Sequence, residues 1–89
     1  MKLNYKTFPK GDARRYFVAL LAVARLSERA TIRYVAEEIG CTRSEAQRAL
    51  EVVEIQFGVR FSRNGPLYII DSWGVLKRHE LGQLVAPDD

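Results

Sequence analysis

The chain has 89 residues, 47% hydrophobic and 28% charged, with a net charge of +3. That is the composition of one small globular domain and excludes a disordered chain. The single cysteine, Cys41, excludes a disulfide framework or a metal cluster and suits a reducing cytoplasm, and the longest apolar run, residues 16–24, falls far short of the roughly 20 residues of a membrane span.

Residues 1–10 read as a leading arm, polar apart from Leu3, Tyr5 and Phe8: a short strand or a loosely docked segment, ended by Pro9-Lys10-Gly11. Asp12 is a good N-cap for a first helix over residues 12–27. Phe17, Leu20, Leu21 and Ala24 fall at i, i+3, i+4 and i+7 and form one core stripe. Val18, Ala22 and Leu26 lie off it, so the helix is apolar nearly all round and has to be covered on more than one side. Either the rest of the domain or a second subunit supplies that cover. Thr31 caps a second helix ending at Ile39, with Ile32, Val35, Ala36 and Ile39 on one face, and Gly40 stops it in the left-handed conformation. Cys41 is a small residue buried in the turn. Thr42 and Glu45 form a T-x-x-E capping box that opens a third helix over residues 43–57. Its apolar stripe is Ala46, Ala49, Leu50, Val53 and Phe57, and Gly58 ends it.

Residues 59–62 and 67–71 then read as two strands. Asn64-Gly65 is a strong two-residue turn signal, but that turn asks for the N–H of residue 66, and Pro66 has none. An open or longer tip is therefore expected. With residue 63 opposite 66, Val59, Phe61, Tyr68 and Ile70 share the core face. Arg60, Ser62, Leu67 and Ile69 share the other, where Leu67 and Ile69 need a cover. Ala30-Thr31 is placed to add a brief strand to the hairpin. Asp71 or Ser72 caps a last helix over residues 73–84, weakened by Gly74 and Gly82. Ala86-Pro87-Asp88-Asp89 is expected to fray.

This order predicts a single domain, mainly α with a small β-hairpin wing: a winged helix-turn-helix, with its helix-turn-helix over residues 31–57 and its wing over 59–71. Ala36 is small where two helices approach, and Gly40, four residues later, makes the turn. The run VAEEIGCTRSEAQRALEVVEIQFGVRFSR, residues 35–63 and about a third of the chain, resembles the DNA-binding end of LysR-type regulators and, more loosely, MarR-like winged helices. The positions that carry the resemblance are Ala36, Gly40, Thr42, Arg48-Ala49-Leu50, Glu54 and Phe57-Gly58-Val59-Arg60-Phe61. Two features depart from the pattern. No effector domain follows, so no small-molecule effector is implied. Ala46 stands where Val or Ile is more usual, and with the extra leading segment it marks a distant relative.

The residue chemistry points the same way. A recognition helix reads bases with its N-terminal residues. Here those are Thr42, Arg43, Ser44, Gln47 and Arg48, types that hydrogen-bond base edges or phosphates, and the helix N-terminus adds a positive dipole end. The acids Glu51 and Glu54 come a turn or more later. Glu45, among the donors, is assigned to the capping box. Arg60, Arg63 and Asn64 are the wing's candidates for the DNA backbone or minor groove, set against a plain solvated hairpin. Arg33 and Tyr34 are candidates for the DNA backbone, with plain surface as the other reading, and Lys6 and Lys10 rank below them.

The charge distribution agrees: residues 1–65 carry twelve Lys and Arg against seven Asp and Glu, while residues 66–89 carry two against four. A basic body fits a polyanionic partner, although a normal soluble surface has the same look. The expected function is sequence-specific binding of double-stranded DNA by a small cytoplasmic transcriptional regulator, bacterial or phage. A homodimer is expected through Phe17, Val18, Leu21, Leu67, Ile69, Trp73 and Leu76. The alternatives are a winged helix that binds protein, and a low-specificity architectural DNA-binding protein. No enzyme, cofactor or metal is expected: His79 is the only histidine, and neither paired carboxylates nor a glycine-rich phosphate loop is present. Trp73, Tyr16 and Phe17 are types that can stack on bases, but apolar packing is the commoner use.

Overall fold

The computed structural model describes residues 3–86. Helix α1 spans Arg14–Leu26, α2 Ile32–Ile39, α3 Arg43–Phe57 and α4 Arg78–Val85; strands β1, Arg60–Asn64, and β2, Leu67–Ser72, lie between α3 and α4. The molecule is mainly helical, with one two-stranded antiparallel sheet. Tyr5–Thr7 and Ser27–Arg29 form single 3-10 turns.

α1 is the centre. Every residue from Phe17 to Val23, and Leu26, is buried, under α2, α3, α4, β2 and the leading segment. The two ways of covering this helix thus resolve to the first: the domain wraps it. Phe17, Val18 and Leu21, expected at a dimer contact, are 7%, 0% and 7% exposed within the single chain. They belong to its own core, and Phe17 packs edge-on against Phe57 with ring centroids 5.2 Å apart. At the helix start, the Asp12 carboxylate accepts the Arg14 N–H at 2.9 Å. The carboxylate thus bonds the first turn, but the regular helix begins at Arg14, two residues after the expected bound, with Ala13 and not Asp12 at its N-cap position and no side-chain cap bond there.

α2 and α3 have the expected bounds because local chemistry marks both ends of each. Thr31 Oγ1 accepts the Tyr34 N–H at 3.2 Å, and Gly40 closes α2 at φ 72°. The full capping box opens α3, and Gly58 closes it, again at φ 72°.

The hairpin keeps its expected faces but shifts its register. Asn64 pairs with Leu67 and Arg63 with Tyr68, so the two-residue turn is Gly65-Pro66, not Asn64-Gly65. Gly65 takes φ 58°, which suits the first central position of a II′ turn, and proline's fixed φ suits the second. Moved into the turn, Pro66 is no longer asked for an N–H, so the tip stays tight. The shift is by an even number, so Val59 and Tyr68 remain inward and buried. A bulge at the root, where Arg60 pairs with Ser72 but Phe61 with Ile70, leaves Asp71 unpaired. Ala30 contributes one backbone bond, accepting the Tyr68 N–H at 2.9 Å, and not a strand.

Two further expectations are corrected. The last helix begins at Arg78, not residue 73. Ser72 caps a turn, its Oγ accepting the Gly74 N–H at 3.1 Å, and the Val75 N–H goes to the Phe57 carbonyl at 3.0 Å instead of into a helix. The leading segment is also not loosely docked: Tyr5 and Phe8 are 6% and 8% exposed. The expected frayed end lies, apart from Ala86, outside the described residues.

Gly74 sits at φ 63°, and a Cβ there would lie 2.1 Å from the Phe57 carbonyl oxygen; at Gly65, φ 58°, a Cβ meets nothing within 4 Å. Gly65→Ala should therefore cost only backbone strain, about 1–2 kcal/mol. Gly74→Ala should cost roughly 3 kcal/mol or more, since backbone has to move. Urea unfolding of the two variants checks the order.

Candidate nucleic-acid interface

The surface in question starts with the α3 cap. Thr42 Oγ1 accepts the Glu45 N–H at 3.0 Å, and Glu45 Oε1 accepts the Thr42 N–H at 2.9 Å. The Thr42 N–H holds the Glu45 carboxyl below its ordinary range, with Lys6 and Arg15 adding to the effect. Glu45 is therefore an ionised cap, in agreement with its expected role, and both of its bonds fix the first turn of α3.

Ala46, Ala49, Leu50 and Val53 are buried. At about 100° per residue, this leaves residues 44 and 48 on the opposite side and 43 and 47 along one flank. Thr42, Arg43, Ser44, Gln47 and Arg48 are all exposed. Ala46, the residue that fits the family pattern least well, is nevertheless 0% exposed. Glu51 follows Gln47 by one turn on the same side, its Oε1 3.5 Å from Gln47 Nε2, and Glu54 lies beyond it. The exposed face of α3 thus runs from donors to acids along the helix axis.

Among the described residues, Arg43, Arg48, Arg60 and Arg63 make no ion pair. Arg33 does, with Glu37 at 3.5 Å, both side chains more than half exposed, an arrangement worth little in water. Arg33 also lies over the Tyr34 ring, 5.7 Å from its centroid. The hairpin divides its candidates. Arg60 is at the root, three residues beyond α3, while Arg63 and Asn64 are at the tip. The Arg63 guanidinium stacks on the Tyr68 ring, 3.8 Å from its centroid. One residue ranked low from the sequence, Lys6, is carried to the start of α3 by the docked leading segment.

The remaining candidates sort into packing. Phe17 is core, and Tyr16, Trp73, Leu67 and Leu76 are half-buried. Ile69 stays 45% exposed on the outer hairpin face. Burial pushes the half-buried Cys41 thiol up to about 11, so it stays protonated and unreactive at neutral pH. Among the described residues no cluster of three or more His, Cys, Asp or Glu could hold a metal ion, and no helix is long and apolar enough to cross a membrane. Comparison with protein-family models, curated proteins and solved structures gave no match.

Thr42→Ala removes the cap and should cost about 1 kcal/mol. Because the folded Glu45 carboxyl lies below its ordinary value, its contribution is complete above that value and is lost as the pH falls through the folded one. Wild-type stability should therefore fall below about pH 4, and less steeply in Glu45→Gln. Urea midpoints measured from pH 3 to 7 test both statements.

Proposed function

We propose that this chain is a winged helix-turn-helix domain that binds double-stranded DNA sequence-specifically, in the service of transcription regulation. The observation that carries this reading is the capped start of α3, where Thr42, Arg43, Ser44, Gln47 and Arg48 stand exposed and neither arginine has an ion-pair partner among the described residues. In this reading the first two turns of α3 enter the major groove, with Arg43, Gln47 and Arg48 on base edges and Thr42 and Ser44 on phosphates. Arg63 and Asn64 at the hairpin tip meet the backbone or minor groove. Arg60 at the root and Arg33 with Tyr34 are flanking backbone contacts. With Phe17, Val18 and Leu21 in the core, the homodimer contact falls to Leu67, Ile69, Trp73 and Leu76.

Selection of duplexes from a random pool, followed by binding measured over a salt series, tests this. The double variant Arg43→Ala, Arg48→Ala should bind the selected duplex at least about a hundredfold more weakly, with unchanged far-ultraviolet circular dichroism. A wild-type protein with no salt-dependent duplex binding would place the chain among protein-binding modules instead. Equal affinity for selected and random duplexes would make it a low-specificity architectural protein. For the dimer, Ile69→Asp should turn a sedimenting dimer into a monomer, and a wild-type monomer at high concentration removes that part.

A further inference from the structure

We propose that the leading segment is a third DNA contact, in which Lys6 holds a backbone phosphate beside the first turn of α3; this rests on the DNA-binding reading above. The segment is fixed to the fold by several bonds. Tyr5 and Phe8, three residues apart, are both buried. Asn4 Oδ1 accepts the Lys6 N–H at 2.9 Å and caps the 3-10 turn. Arg15 ties down both ends, its guanidinium 4.6 Å from the Tyr5 ring centroid and its Nε donating to the Phe8 carbonyl at 2.7 Å.

The same segment lies against the α2–α3 turn. Asn4 Oδ1 is 3.9 Å from where a Cβ on Gly40 would stand, and burial, with the charge of the Glu45 carboxylate next, pushes the Tyr5 hydroxyl up. With Tyr5 buried, the next residue, Lys6, is exposed. It makes no ion pair among the described residues. The acid it senses, Glu45, already accepts the Thr42 N–H.

A cation held here has a specific electrostatic task. The capping carboxylate that stabilises α3 also sets a negative charge at the end proposed to meet DNA, where it opposes phosphate. Lys6, with Arg15 behind it, offsets that charge and leaves the helix dipole and Arg43 to act on the backbone. Because the segment is already ordered, a phosphate contact from Lys6 costs only side-chain entropy and no folding of an arm.

Such a contact is indifferent to sequence, and that defines the test. Lys6→Gln and Lys6→Arg are compared with wild type on selected and random duplexes across a salt series. Lys6→Gln should bind both duplexes about tenfold more weakly near 0.1 M salt, with a log–log salt slope shallower by about one, the signature of one lost phosphate contact. Lys6→Arg should keep the wild-type slope. An unchanged slope in Lys6→Gln, with Arg43→Ala, Arg48→Ala still defective, overturns the Lys6 contact and leaves the α3 reading standing. An unchanged slope with a lowered melting temperature overturns it too, assigning Lys6 to internal compensation of Glu45. Absence of duplex binding by the wild type removes both.

Discussion

A helix apolar on every side cannot face water anywhere along its middle, and α1 imposes that condition on the whole chain. Its run from Phe17 to Val23 is buried without a break. Three helices, a strand and the leading segment surround it. Small residues at Ala19 and Ala22, both fully buried, let neighbours approach closely. In a chain of 89 residues, which buries a smaller share of its surface than a larger domain does, eight of the buried hydrophobic residues lie on this one helix. Among the described residues no charged side chain is buried, so hydrophobic burial and packing hold the cluster without a charged pair to desolvate.

That central packing determines what α3 can present. Ala46, Ala49, Leu50 and Val53 point inward, so the helix cannot rotate without exposing them, and Arg43, Gln47 and Arg48 keep a fixed outward direction. The capping box then holds the first turn, which otherwise frays. Burial on one side and a satisfied N-terminus hold the turn that carries the exposed donors, as the proposed recognition surface requires.

What the sequence made legible was whatever is decided within a few residues. α2 and α3 are bounded by Thr31, Gly40, Thr42, Glu45 and Gly58, each acting on its own neighbours, and those bounds hold. The hairpin faces hold for a different reason: side-chain alternation has period two, so a register error of two leaves every residue on its proper face. Contacts distant in sequence were not legible. Nothing near Trp73 announces that Gly74 will pack on the Phe57 carbonyl and draw the chain away from a helix. Likewise, Tyr5 and Phe8 in a polar arm do not reveal that Arg15 will hold them. The choice between an internal and an external cover for α1 also depends on how many other elements reach it, which periodicity does not count. In the candidate surface, the exposure of Ser44, Gln47 and Arg48 around a buried Ala46 was legible from the helical period. The position of Lys6 was not, because it depends on the docking of the leading segment.

The charge order along α3 constrains the proposed mode of binding further. Gln47 and Glu51 share one side of the helix, and Glu54 lies only about 60° from Glu51 around it. A duplex lying along the full length of α3 would meet donors and carboxylates together and be attracted and repelled at once. Fifteen residues span about 22 Å, nearly twice the roughly 12 Å width of the major groove, whereas the first two turns span about 11 Å. An end-on approach therefore brings Thr42 to Arg48 inside the groove and leaves Glu51 and Glu54 at or beyond its edge. In that pose the acids repel any deeper or more parallel seating of the helix. In the proposed complex, Glu51 and Glu54 would thus favour the end-on orientation of the duplex over the parallel one.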